Sequence, residues 1–125
     1  MKKCTIIIHS SCKLLLTYLG QSLLPCCSAI YHAQTTHETL SLNESIHPDL
    51  IIVISTSPLL KSPQLIQGLR GKSTHRPLIF VITWQLSEQV VIGLLEMGID
   101  QYMTFPISVE RLRSKVTAIN YMLSV

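Results

Sequence analysis

The sequence contains few charged and few aromatic residues for its length. Only 14% of the 125 residues are charged and 6% are aromatic, whereas 47% are hydrophobic. So few charges cannot cover every face of a domain, and we therefore expect a partner to cover part of the apolar surface. The formal net charge of +3 is too small to indicate nucleic-acid binding by this chain.

Several functional signatures are also missing. No apolar run reaches the roughly 20 residues of a membrane span, and the polar residues His9 to Lys13 interrupt what would otherwise resemble a secretory signal. There is no glycine-rich phosphate loop or catalytic pair, and His32, His37, His47 and His75 show no metal-ligand spacing. We therefore predict no cofactor, no metal and no small-molecule ligand, and an enzyme or ligand sensor is the weakest hypothesis.

The four cysteines are Cys4, Cys12, Cys26 and Cys27. None forms a C-x-x-C pair, and a disulfide between the two adjacent cysteines would be strained. Scattered cysteines in apolar surroundings are typical of a reducing compartment. We therefore expect free thiols and a cytoplasmic protein.

Apolar runs alternate with segments of helical periodicity along the whole chain. The predicted strands are 4–9, 26–33, 49–55, 76–83 and 100–105, and the predicted helices are 11–24, 36–46, 64–69, 87–98 and 108–123. The runs "DLIIVIS" and "RPLIFVIT" are apolar on both faces, which is typical of central parallel strands. Five alternating pairs predict one α/β domain over residues 1–125, a three-layer flavodoxin-like sandwich with strand order 2-1-3-4-5.

Helical spacing also suggests which residues face the core. In the first helix Leu14, Leu15, Tyr18 and Leu24 have this spacing, and Pro25 ends the segment. In the last helix the corresponding residues are Leu112, Val116, Ile119 and Leu123. We expect Ser87 and Ser108 to cap the fourth and fifth helices, and a threonine at the start of "THETLSLNESI" to cap the second.

Three motifs at consistent spacing resemble the receiver domain of response regulators over essentially the whole chain. "HPDLIIVISTSP" is similar to the third strand that leads to the phospho-acceptor aspartate, with a proline four residues after it. "RPLIFVIT" is similar to the fourth strand with its switch threonine, and "LLEMGIDQYMTFP" to the fifth strand with its lysine-proline pair. The resemblance implies the CheY-like fold of five β–α units.

The residues at the reactive positions depart from that family. His9 and Ser10 stand where the resemblance implies an acidic pair that binds Mg²⁺, Ile54 stands at the acceptor position, and Phe105 replaces the lysine. Phosphoryl transfer needs carboxylates for the metal, a nucleophile and a cation against the developing charge. We therefore predict a degenerate pocket that neither binds Mg²⁺ nor accepts phosphate.

Two switch-type residues of the family are retained, Thr83 and Tyr102. The resemblance also implies an output surface on the fourth helix, fifth strand and fifth helix, which forms a symmetric homodimer in the OmpR/PhoB branch. The predicted interface residues are Trp84, Glu88, Val90, Val91, Leu94, Asp100, Arg111, Arg113 and Lys115. Alternatively, Trp84 and Val91 only thicken the core beneath a loop.

The resemblance implies an atypical, phosphorylation-independent receiver domain of an OmpR/PhoB-type transcriptional regulator. Its role would be constitutive homodimerisation, with DNA bound only through a separate C-terminal domain. The alternative is a stand-alone pseudo-receiver that acts as an adaptor for another protein. Neither hypothesis involves catalysis or a membrane.

Overall fold

A computed structural model describes residues 2–56, 62–71, 75–84 and 86–124. Within these ranges the strands are β1 (Thr5–His9), β2 (Ala29–Ala33), β3 (Leu50–Ile54), β4 (Leu78–Thr83) and β5 (Gln101–Thr104). The helices are α1 (Lys13–Leu23), α2 (Thr36–Ile46), α3 (Ser62–Gly71), α4 (Glu88–Glu96) and α5 (Val109–Leu123), and a 3-10 turn spans Leu24–Cys26. None of these helices is both long enough and apolar enough to cross a membrane.

All neighbouring strands pair in parallel, in the order β2-β1-β3-β4-β5, which confirms the predicted fold. Successive side chains of the central strands point to opposite faces of the sheet. One face packs with α1 and α5, and the other packs with α2, α3 and α4. Because both faces are covered, every residue of β3 is buried.

The buried face of α1 differs from the expected one. Leu14 is 82% exposed, and Tyr18 is exposed as well. The fully buried residues of α1 are Leu16, Leu19, Gly20 and Leu23, and of the expected residues only Leu15 packs partly against the core. Three consecutive leucines at positions 14–16 fit more than one helical face, so periodicity alone did not select the correct one.

The residues that cap the helices agree closely with the sequence predictions. The hydroxyls of Ser87 and Ser108 cap α4 and α5, as predicted, by accepting a backbone N–H three residues later. The cap of α2 is Thr35, and Thr36 is the first helical residue. Gly98, with a φ of 102°, follows α4 in a conformation that side chains disfavour.

The cysteines are free thiols among the described residues. Burial raises the pKa of the Cys4 thiol to about 12 and that of the Cys27 thiol to about 11. Both side chains are therefore protonated near neutral pH and pack as small hydrophobic groups.

The core face of α5 is the predicted one, with Leu112, Val116 and Ile119 buried. Beside them lies Asn120, which the sequence analysis did not single out. Its Oδ1 accepts the Cys4 backbone N–H at 2.9 Å, and its Nδ2 donates to the Cys26 carbonyl at 2.6 Å. This buried amide therefore joins α5 to the start of β1 and to the 3-10 turn.

Replacing Asn120 with alanine should lower the free energy of unfolding by about 2–4 kcal/mol, because two backbone groups lose a buried partner. Urea unfolding measures this change. Ser114→Ala, at an exposed position of the same helix, should change stability by less than about 0.5 kcal/mol. Equal stabilities of Asn120→Ala and the wild type would contradict the assigned role.

Candidate functional site

The carboxyl ends of the parallel strands meet at one edge of the sheet. The register pairs Ile54 with Ile82 and Thr83 with Thr104, so the ends of β3, β4 and β5 lie side by side. The residues that the sequence analysis assigned to the degenerate pocket all lie at or next to the carboxyl ends of β1, β3, β4 or β5: His9, Ser10, Ile54, Thr83 and Phe105. Pro58, which completes the third-strand motif, lies outside the described residues.

Ile54 is part of the hydrophobic core. It is buried among the apolar side chains that pack with α1 and α5, and Phe105 packs against the same cluster. In the part of the chain that the structure describes, no group of three or more His, Cys, Asp or Glu side chains is placed to hold a metal ion. The position that the sequence analysis matched to a phospho-acceptor therefore supplies packing and no nucleophile.

His9 makes its polar contact with α2. Its Nδ1 lies 2.7 Å from the Thr39 hydroxyl, and that hydroxyl donates its own proton to the Thr35 carbonyl at 3.0 Å. The ring therefore donates from Nδ1. Burial lowers the pKa of His9, and the nearby Glu38 opposes this shift only in part.

Ser10 is fully buried at the turn that leads into α1. Its hydroxyl accepts the Cys12 backbone N–H at 3.1 Å, and its own N–H donates to the Ala33 carbonyl at 3.0 Å. Ser10 therefore shapes the turn between β1 and α1. As a neutral hydroxyl, it cannot provide the anionic cage that a hard cation needs.

Thr83, which the sequence analysis matched to a switch position, has a buried hydroxyl. The residue is fully buried, and its Oγ1 has no hydrogen-bond partner among the described residues. Burying a hydroxyl without a partner costs about 1–3 kcal/mol. No described residue around Thr83 offsets this cost with a hydrogen bond.

Trp84, predicted for the dimer interface, contacts the pocket of its own chain. The centroid of its ring lies 4.9 Å from that of Phe105, with the planes tilted by 51°. Its indole Nε1 donates to the Thr56 carbonyl, just beyond β3, at 3.1 Å. About half of the side chain, 53%, remains exposed, so Trp84 lies over the pocket rather than within the core.

Tyr102 holds the loop between β4 and α4. Its hydroxyl donates to the Trp84 carbonyl at 3.2 Å and accepts the Leu86 N–H at 3.1 Å. The ring packs against the core that faces α2, α3 and α4. The retained switch-type tyrosine is therefore directed toward this loop.

The apolar surface of α4 differs in part from the predicted one. Leu94 is only 2% exposed and belongs to the core, so it is not available to a partner. The exposed apolar side chains of α4 are Val90 (41%), Ile92 (45%) and Leu95 (48%), and Val91 is half-buried. Because "VVIGLL" is apolar on all sides, periodicity could not identify Ile92 and Leu95 as outward-facing.

Two of the predicted interface charges bind within the chain. Asp100 pairs with Arg70 at 3.3 Å and accepts the Ile79 N–H at 2.8 Å, and Arg113 donates from Nε to the Ser22 carbonyl of α1 at 2.8 Å. Arg70–Asp100 is the one ion pair among the described residues. The other charged residues predicted for the interface lie at the surface or half-buried: Glu88, Arg111 and Lys115.

Because the pKa of His9 is lowered in the folded state, acidification should protonate the unfolded chain first. Stability then decreases as the pH falls from the ordinary histidine pKa, about 6.5, toward the folded-state value. His9→Asn retains an N–H donor near Thr39 and should lose less stability between pH 7.5 and 5.5 than the wild type. The measurement is urea unfolding at both pH values.

His37→Asn provides the control for this experiment, since His37 is an exposed histidine on α2. Its pH dependence should equal that of the wild type. The same acid sensitivity in His9→Asn and the wild type would show that another group is responsible.

No protein-family model and no curated protein matches the sequence. Solved structures match over nearly the whole chain. The receiver domain of Francisella response regulator 1452 has a TM-score of 0.83 at 20% identity, with 97% of this chain and 99% of that chain covered. The receiver domain of a signal transduction histidine kinase from Syntrophus aciditrophicus has a TM-score of 0.81 at 22% identity, covering 96% and 92%.

A third similar structure is the chemotaxis response regulator CheY4 of Vibrio cholerae, with a TM-score of 0.79 at 14% identity, covering 94% of this chain and 99% of that one. Identities this low establish the fold and do not transfer an activity. The chain therefore has the CheY-like fold of signal receiver domains, with an apolar residue at the end of β3.

Proposed function

We propose that this chain is an atypical receiver domain that works without phosphorylation, as part of an OmpR/PhoB-type transcriptional regulator in the cytoplasm. Its role is homodimerisation through α4, β5 and α5, and DNA is bound by a separate C-terminal domain. The observation that carries the proposal is Ile54, buried at the acceptor position of a receiver fold.

The chemistry of the pocket supports independence from phosphate. A phosphorylated receiver needs a nucleophile on β3, carboxylates after β1 for Mg²⁺, and a cation after β5. Here Ile54 and Phe105 are apolar, and Ser10 is a neutral hydroxyl. His9 bonds to Thr39 of α2. We therefore assign the domain no enzymatic activity, cofactor or ligand.

The surface of α4 supports association with a second copy. Val90, Ile92 and Leu95 are exposed, with Glu88 and Glu96 on the same helix, and α5 carries Arg111 and Lys115. A two-fold interface brings the same patch of both copies together. Such an interface would cover the apolar side chains and bring acidic residues of one copy near basic residues of the other.

The alternative is an adaptor that binds a different protein through the same surface. The exposed apolar residues of α4 suit this role equally well. The adaptor hypothesis predicts that the purified chain is a monomer, whereas the regulator hypothesis predicts a dimer. Sedimentation of the unmodified chain therefore separates them.

Ile92→Lys should convert the proposed dimer to a monomer and raise the dissociation constant by about 100-fold or more, because burying a charged side chain in an apolar contact costs several kcal/mol. The helix should remain stable, since lysine at this position lies four residues from both Glu88 and Glu96. Sedimentation equilibrium measures the dissociation constant.

Tyr18→Lys, which places the same charge at an exposed position of α1, should leave the dimer intact. A monomeric wild type would contradict the dimer proposal and favour the adaptor. An Ile92→Lys variant that dimerises as well as the wild type would place the interface elsewhere.

Mg²⁺ with beryllofluoride, which imitates a phosphoryl group on aspartate, should leave the melting temperature of this chain unchanged. The reason is that Ile54 offers no oxygen to the beryllium. Thermal denaturation monitored by circular dichroism gives the measurement, with an ordinary aspartate-bearing receiver domain as the positive control. A clear rise in the melting temperature would refute the inactive pocket.

A further inference from the structure

Trp84 is the only tryptophan of the chain, and it contacts the ends of three adjacent strands. It directly follows β4, its indole reaches the segment after β3, and its ring packs on the residue after β5. We propose that Trp84 bridges these strand ends and thereby holds the loop between β4 and α4 in one arrangement without a phosphoryl group. This Trp84 bridge comprises Thr56, Trp84, Tyr102 and Phe105.

The contact with β3 is a hydrogen bond. The indole Nε1 of Trp84 donates to the Thr56 carbonyl at 3.1 Å, which is an ordinary length for an N–H···O bond. Thr56 lies two residues beyond β3, on the same segment as Ile54. The bond therefore ties the chain after the former acceptor position to the chain after β4.

The contact with β5 is an aromatic pair. Trp84 and Phe105 have their centroids 4.9 Å apart with tilted planes, within the range of favourable aromatic pairs. The backbone supports this geometry, because the Phe105 N–H donates to the Thr83 carbonyl at 3.1 Å. Phe105 stands where the resemblance implies a lysine that contacts phosphate, so an apolar contact replaces a charged one.

The remaining contact leads toward α4. Tyr102 binds both the Trp84 carbonyl and the Leu86 N–H, and the Ser87 cap of α4 follows directly. Tyr102 thus holds both the residue that follows β4 and the residue that precedes the Ser87 cap, which fixes where α4 begins. The bridge therefore acts on the exposed apolar surface of α4 that the proposed function assigns to the dimer, and in this respect the inference rests on that function.

The Trp84 bridge also explains how one conformation can dominate without a signal. A two-state switch changes its population only through a ligand that binds the two states unequally. In this chain the contacts between the three strand ends are made by its own side chains. The loop needs no added group to hold it, and α4 is presented permanently.

Hydrogen exchange followed by NMR tests the bridge directly. The single indole N–H gives one resonance, which should exchange on the order of tenfold or more slowly than in the urea-unfolded chain. Trp84→Phe keeps a ring but removes the donor, and Trp84→Leu removes both contacts. The Leu86 amide should exchange several-fold faster in Trp84→Phe, and faster again in Trp84→Leu.

Tyr31→Phe, which removes a donor from a partly exposed aromatic residue on β2, is the matched control and should leave Leu86 exchange unchanged. An indole that exchanges as fast as in urea would overturn the bridge. So would unchanged Leu86 exchange in Trp84→Leu.

Hydrogen exchange of the Trp84 indole in the Ile92→Lys variant tests the bridge independently of the proposed dimer. The bridge lies within one chain, so indole protection should persist in a monomer. Loss of protection in monomeric Ile92→Lys would show that a second copy covers Trp84, and would overturn the bridge. A wild type that is monomeric with a protected indole would retain the bridge and reject the dimer.

Discussion

Burial of the central strands on both faces is the constraint on which the site depends. Every position of β3 is buried, including Ile54 at its carboxyl end. A carboxylate there would need a metal or a cation beside it, because an unpaired buried charge is strongly destabilising. Ser10 and Phe105 supply neither. Ile54 and its uncharged neighbours are therefore mutually consistent: without charged neighbours an apolar residue is stable at this position, and an apolar Ile54 needs no charged neighbour.

The carboxyl ends of the strands are held together by contacts between side chains. The strand ends that a reactive pocket would line are joined here by the indole of Trp84 and the ring of Phe105. Thr83 remains buried with no hydrogen-bond partner among the described residues, so the retained hydroxyl contributes nothing to this contact. Tyr102 continues it to the loop before α4. Ring packing and hydrogen bonds thus connect the carboxyl ends of β3, β4 and β5 with the residues that precede α4.

The sequence predicted the sheet and its order because doubly apolar strands alternating with helices permit few topologies. It also predicted the core face of α5, where Leu112, Val116 and Ile119 repeat at a regular spacing. It failed where apolar residues are consecutive, as in α1 and α4, because such a run has no unique face. The contacts of Trp84 and His9 depend on loop and helix positions that spacing does not encode, and Asn120 gave no local signal.

Only some of the charged residues near α4 are available to contact a partner. Asp100 pairs with Arg70, and Arg113 donates to the Ser22 carbonyl of α1. These two charges are therefore already engaged within the chain. Glu88 and Glu96 on α4 and Arg111 on α5 remain at the surface. In a two-fold contact the exposed apolar residues of α4 would form the centre of the interface and contribute most of the affinity. The charged residues would form the rim, where they would influence the orientation of the two copies and their rate of association. The proposed interface would require no chemical event in the pocket.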